Sequence, residues 1–299
     1  MTSPTLPAMN DTWTVRVPKL AIDYEPLLSA IMLIASHHLA CIKTTPEEVE
    51  HHLTLRSLYL GSTLQAHRPA SLSVTKENAE AVCFTALILS VDNMANLQNR
   101  PLEPYEPPLQ WFQLCKSIEG VWRLAFDLVK DDVDSRIRPA TETMLPWYRE
   151  AKAFSPERLN HLIQAQEDES IDADDMKVYQ ETVGVLSWIL AGIESGEDLN
   201  IFCRRLRLMP FLLSDRFINL LDKMDCRAMV LLAHYFAMTS YAGELWWIGE
   251  SPLREVKAIE RFLDEKWQVM LAWPLDMTQK QDVKNKRVVV QSLNSAGST

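Results

Sequence analysis

The chain has 299 residues, 47% of them hydrophobic, and a single domain of that length buries about three quarters of its unfolded surface. Only 8 glycines leave few positions for tight hairpins, while Leu, Ala, Met and Glu favour helix, so the expected fold class is all-α, a single compact multi-helix domain. A formal charge of -10 repels a phosphate backbone and argues against direct nucleic-acid binding, and five scattered cysteines without a CxxC pair argue against a disulfide framework or a zinc finger.

Residues 1–24 read as a Pro-containing leader without the basic segment and apolar core of a secretory signal. Pro26 opens a helix in which Leu27, Ile31, Ile34, His38 and Ile42 follow the spacing of one face. Pro46 with Glu47 and Glu48 opens the next, and helices over 47–67 and 75–97 complete an antiparallel trio. The uncharged runs Pro26–Ile42 and Ala228–Gly243 fall short of about 18 apolar residues and hold polar groups, so no membrane span is expected.

QNRPLEPYEPP, residues 98–108, has four prolines and reads as an extended connection. An amphipathic pattern resumes over 109–130, Ser155-Pro156-Glu157 is a helix start, and EDESIDADD (167–175) is a solvated loop feeding a helix over 174–193. Further helices are expected at 197–208, 214–223, 225–247 and 251–272. Residues 25–275 are thus expected to form one helical domain, and 276–299 a polar flexible tail with a short VVV at 288–290.

Motifs for common chemistry are missing: there is no GxSxG elbow, phosphate-cradling glycine loop, GxGxxG or HExxH. DDVDS (131–135) and DADD lack the DDxxD spacing that would hold magnesium near a diphosphate. His37, His38 and Cys41, with His51 or His52, have ligand-like spacing, but paired histidines in an alanine-rich helix read more simply as one buried hydrogen-bonded ring and one boundary ring. No metal and no cofactor are expected. KNKR (284–287) is too short a basic run to choose between nucleus and cytoplasm for a protein expected to be intracellular.

The most informative stretch is LLAHYFAMTSYAGELWWIGESP, residues 231–252. On one continuous helix His234, Met238, Tyr241 and Leu245 share a side, while Trp246 and Trp247 point about 100° apart. Such a helix, apolar all round, is a central core element. Its aromatic and sulfur-bearing side chains also suit the wall of an apolar ligand pocket, which makes His234, Met238, Tyr241, Trp246, Trp247 and, from the first helix, His38 the candidate binding residues.

FINLLDKMDCRAMVLLAHYFAMTSYAGELWWIGE (217–250) and IERFLDEKWQVMLAWP (259–274), with LLSAIMLIASHHLA (27–40), HHLTLRSLYLGSTLQ (51–65) and NAEAVCFTALILS (78–90) in the same order, resemble the C-terminal regulatory domain of fungal zinc-cluster transcription factors, a group that includes the sterol-uptake regulators. The resemblance implies an all-helical domain with a buried apolar small-molecule pocket. Those regulators also carry six clustered cysteines and a basic region, for which these 299 residues offer no counterpart. Two functions follow as expectations. One is a regulator-like module that senses an apolar small molecule, a terpenoid, sterol or polyketide of secondary metabolism, or that pairs through a helical surface with a DNA-binding relative, with a homo-oligomer or a helical protein partner as the expected assembly. The other is a cofactor-independent cyclase, isomerase or Diels-Alder-type catalyst that uses the same pocket, where a dry shaped cavity and one hydrogen-bond donor would suffice.

Overall fold

The computed structural model describes residues 11–282 apart from Val133, Arg136, Glu167 and Asp168, and apart from the side chains of Pro139 and Thr143. Among the described residues the ordered elements are helices and no strand occurs, as composition and glycine scarcity require. The chain divides into two compact units, one running to Ala95 with Gln113–Trp147, the other comprising Asn96–Phe112 and everything from Tyr148 on.

The first unit begins with a π-helical turn, Thr12–Arg16, that runs into α1 (Val17–Ile22). Much of the stretch read as a leader is therefore helical, and Val17 and Ala21 join Leu27, Ala30, Ala81, Phe84 and Ile88 in a buried cluster. α2 (Glu25–Ile42) lies along α3 (Pro46–Leu72), whose first turn is capped by Thr45 accepting from the Glu48 amide. α2 is long and apolar enough to cross a membrane by length and composition. Its buried side is Leu27, Ala30, Leu33, His37 and Ala40, whereas His38 and Ile42 are exposed. The expected face was thus turned by about a third of the helix, because a helix apolar on every side gives periodicity nothing to select.

α4 (Ala79–Asn96) is buried along most of its length and places Asp92 inside the unit. There Arg56 of α3 forms a fork on the carboxylate at 2.8 and 2.6 Å, and the Nδ1 of His37 lies 2.7 Å from Oδ1. Burial alone would raise the Asp92 pKa, but the His37 and Arg56 hydrogen bonds hold it below the ordinary carboxylate value. α5 (Leu109–Val129) and α6 (Ile137–Ala153) add Ala125, Val129 and Ile137 to a second cluster with Ala79 and Cys83, and Trp122 donates to Thr141 at 2.8 Å. The boundaries between units fall at the last residue of α4 and inside α5 and α6.

In the second unit most helices begin at a short acidic or hydroxyl side chain that accepts from a free amide of the first turn. Asp172 caps α7 (Ala173–Glu194), Asp198 caps α8 (Leu199–Leu212), Ser214 caps α9 (Asp215–Asp222), and Asp225 caps α10 (Cys226–Thr239). Each such cap contributes about 1 kcal/mol. α9 ends in a Schellman arrangement: Met224 adopts φ 58°, its amide bonds to Leu221 O, and the Asp225 amide bonds to Leu220 O. Asp225 thereby closes one helix and starts the next. Ser155-Pro156 opens only a 3-10 segment, Glu157–Ile163.

α10 is the centre of this unit, buried from Arg227 to Thr239 and packed by α7, α9, α11 (Ser251–Phe262) and the short α12 (Glu265–Gln268). It stops eight residues before the expected end. Thr239 and Ser240 turn their hydroxyls back onto the Phe236 and Ala237 carbonyls at 2.7 and 2.6 Å, a 3-10 turn covers Ser240–Ala242, and successive turns reach Gly249 at φ 51°. Leu263 and Asp264 interrupt the helix expected over 251–272. A 3-10 turn, Val269–Leu271, then leads into a helix over 272–282, which extends helical structure into the stretch read as a tail. VVV and KNKR lie outside the described residues.

Candidate functional site

α10 is tied to the acidic loop before α7 by a buried arginine. Arg227, 1% exposed, donates Nε to Glu169 Oε1 at 3.1 Å and Nη2 to Gln164 O at 3.0 Å, with further bonds from its terminal nitrogens to Leu162 O and Glu169 Oε2. Its guanidinium stands 5.2 Å from the Trp267 ring centroid. Desolvation works to raise the Glu169 pKa, but the Arg227 bonds hold it below the usual value. EDESIDADD is therefore more than a solvated loop. Glu169 neutralises a buried charge, and Asp172, Asp174 and Asp175 surround Arg216 at 2.6–3.4 Å.

This tie fixes Gln164, Ala165 and Gln166 at one rim of a cleft of about 430 Å³ that opens to solvent. His161 and His234 also line it, and the C-terminal segment contributes a wall of Val269, Met270, Ala272 and Trp273. The expected pocket was buried and apolar, whereas this one is open and has mixed walls. Trp273 is 37% exposed and Val269 73%, so apolar surface faces water along that wall.

His234 is 1% exposed, and its Nδ1 lies 2.9 Å from Val230 O. A carbonyl can only accept, so Nδ1 carries the proton and Nε2 keeps a lone pair. Burial lowers the imidazole pKa to about 4, the Val230 bond opposes the shift, and nearby His161 adds to it. The ring is neutral at physiological pH and acts as an acceptor. Gln166 donates Nε2 to the Met270 sulfur at 3.2 Å, while its Oε1 is buried and meets no donor among the described residues. The arrangement provides one hydrogen-bond acceptor, His234, among aromatic and aliphatic walls, which suits a ligand with an apolar body and a hydroxyl group.

Of the residues singled out from sequence, His234 lines the cleft. Met238, one turn on, is fully buried. Tyr241 sits in the 3-10 turn with its ring edge-on to Phe202 at 5.3 Å. Trp246 and Trp247 are half-buried in the turns after α10, not on a helix, and the Trp246 carbonyl accepts from Gln98 at 2.8 Å. His38 is exposed on α2 in the first unit. Among the described residues no group of three or more His, Cys, Asp or Glu side chains is placed to hold a metal ion. The cysteines are free; Cys83 and Cys115 are buried with thiol pKa values pushed up to about 12, but Cys41 is exposed.

Sequence reasoning missed Trp273, Met270 and Gln166 as site residues. Trp273 was legible as the aromatic of the closing LAWP, whereas Gln166 stands just before the acidic run 167–175, which drew attention only to its charge.

No protein-family model matches the chain. Curated relatives do. The chain is 30% identical over 249 residues to the Zn(2)-C6 fungal-type transcription factor afumD of Aspergillus fumigatus, a match covering 81% of this chain and 65% of that protein. It is 27% identical over 294 residues to a Zn(2)-C6 fungal-type transcription factor of Gibberella zeae, covering 90% of this chain and 57% of the relative. Sterol uptake control protein 2 of Saccharomyces cerevisiae is 31% identical over 124 residues, 38% of this chain and 13% of that protein. The matches span 57% to 65% of the length of the first two relatives. With this identity over four fifths of its length, the chain belongs to the family of fungal Zn(2)-C6 transcription factors.

Proposed function

We propose that the chain is a regulatory region that binds an apolar small molecule bearing a hydroxyl group, and that occupancy of the cleft beside α10 is what it senses. The observation that carries this reading is the neutral, buried His234, an acceptor set against Trp273 in a cleft whose volume falls within the range of about 300–1,000 Å³ common for small-molecule sites. The likeness to a protein named for sterol uptake control supports a sterol or a related terpenoid as the ligand. Sensing of this kind by a transcription factor is an intracellular role.

The test is a titration of the purified chain with dehydroergosterol, a fluorescent sterol, followed by energy transfer from tryptophan, and in parallel with its 3-O-methyl ether. Saturable transfer with the free alcohol and markedly weaker transfer with the ether supports the reading, because the ether cannot donate to His234. Equal affinity for both forms, or no saturation with either, contradicts it. Chromatography of the bound sterol separates binding from catalysis: an unchanged compound is expected, and a converted one would favour the cyclase or isomerase alternative.

A further inference from the structure

α8 carries three arginines and treats them differently. Arg205 is held in a fork by Glu197 at 2.8 and 2.9 Å, donates to Trp188 O at 3.0 Å, and lies 4.4 Å over the Trp188 ring. Arg204 and Arg207, one helical turn apart, have no carboxylate partner among the described residues. Arg204 is 8% exposed and donates to no protein acceptor among them. Arg207 is exposed, and its one hydrogen bond goes from Nε to Cys203 O of its own helix at 3.4 Å.

The surroundings make this pairing unusual. The chain has a formal charge of -10, and Arg100, Arg216 and Arg227 each find a carboxylate. Asp198 and Glu244 act on the neighbouring thiol of Cys203, yet among the described residues no ion pair forms between either acid and Arg204 or Arg207. Asp198 is already committed to the Asn200 amide at 2.9 Å as the cap of α8. Arg207 reaches solvent but is crowded by protein, so desolvation lowers its pKa; the Cys203 thiol opposes that shift and the Arg204 charge adds to it. A long stem buried with its head at the surface is ordinary for one arginine. Two arginines one helical turn apart, one of them buried and neither satisfied by an acid, supply the planar donors that clamp an oxyanion through several charge-assisted bonds.

We propose that Arg204 and Arg207 form a binding site for a small-molecule oxyanion, a carboxylate or a phosphate, beside the turn that carries Tyr241 and Glu244. Neither arginine lines the cleft at His234, so the site stands apart from the one described above. The turn is near because Phe202 of α8 meets Tyr241 edge-on and Cys203 feels the charge of Glu244. An anion held there would draw α8 and the turn after α10 together.

The experiment is isothermal titration of the full chain at low ionic strength with inorganic phosphate and, separately, with succinate, using chloride as the control. Saturable binding of one probe is expected, with chloride inert; phosphate alone identifies a phosphate site, and succinate alone a carboxylate site. Arg204→Gln and Arg207→Gln should each weaken that binding about ten-fold, the loss of one charge-assisted contact, while Arg207→Lys falls between. Glu244→Gln should leave the affinity unchanged or tighten it. Because Arg204→Gln perturbs a buried stem, the exposed Arg207→Gln is the decisive variant, with thermal unfolding as its folding control. Absence of saturable binding by either probe overturns the proposal, as does undiminished affinity in a folded Arg207→Gln protein. A double-mutant cycle in which Glu244 and Arg207 lose the same stability jointly would also overturn it, since Glu244 would then be their partner.

Discussion

The imidazole of His234 lies flat against the indole of Trp273, with ring centroids 5.6 Å apart and planes 12° from parallel. The contact joins the buried centre of α10 to the helix over 272–282, so a ligand that enters the cleft touches the core and the C-terminal wall at once. Under the proposed reading that connection is the route by which the cleft reports occupancy, and the buried ring sets how the protein should respond to pH.

The His234 pKa is about 4 in the folded chain and lies near 6.5 in an unfolded one. As pH falls, the unfolded state takes the proton first, so this group's stability contribution is present above pH 6.5 and is lost between 6.5 and 4. The loss amounts to about 3 kcal/mol. Thermal unfolding between pH 7.5 and 4.5 should show a steeper fall for the natural chain than for His234→Gln, and parallel curves would contradict the assignment.

Asp92 has the opposite chemistry. Its pKa is held below the ordinary carboxylate value, so its contribution is present above that ordinary value and is lost as pH falls through the lowered folded one. Asp92→Asn should destabilise the chain at neutral pH by leaving Arg56 without its carboxylate, at a cost of about 3 kcal/mol, and the difference from the natural protein should shrink in acid. Urea unfolding at pH 7 and in acid measures both.

The proline-rich segment over 98–108 is anchored by a buried ion pair. Arg100 forms a fork on Glu255 at 2.6 Å through both nitrogens, and Tyr105 donates to the same carboxylate at 3.1 Å. Burial raises the Glu255 pKa and the Arg100 and Tyr105 bonds lower it. Arg100→Ala strands that carboxylate and should cost about 3–5 kcal/mol, while adding Glu255→Gln to it should restore part of the loss. Denaturant midpoints of the two variants check this.

Gly249 closes the aromatic turn at φ 51°, and a Cβ there would come within 2.1 Å of Gln98 Oε1. Gly249→Ala should cost about 2 kcal/mol from the backbone and the clash together. Gln98→Ala in the same chain removes the clash and leaves the backbone part, so partial recovery in thermal unfolding is expected. Full recovery would mean that the left-handed conformation imposes no strain.

How legible this was follows from which signals were local. Capping residues and composition placed α7 within a residue of 174–193 and α5 within a residue of 109–130. α6 was not anticipated, because Pro139 and Pro146 speak against helix; the first falls in the opening turn and the second is accommodated inside. α10 is shorter than expected although hydrophobicity continues past Thr239: at its end the Thr239 and Ser240 hydroxyls turn back onto the Phe236 and Ala237 carbonyls, a local detail that periodicity does not carry. His234 was readable as a polar ring in an apolar helix. Its partner Trp273 is distant in sequence, and only packing reveals that Trp273, not Trp246 or Trp247, stands against it.

The central claim is that the His234–Trp273 cleft holds the ligand. Dehydroergosterol titrations of the natural chain, Trp273→Ala and Trp246→Phe test it directly. The account predicts that Trp273→Ala lowers affinity about ten-fold or more, as loss of a large aromatic anchor does, and that Trp246→Phe leaves affinity unchanged. Undiminished affinity in a folded Trp273→Ala protein, or loss of binding in Trp246→Phe alone, would contradict it.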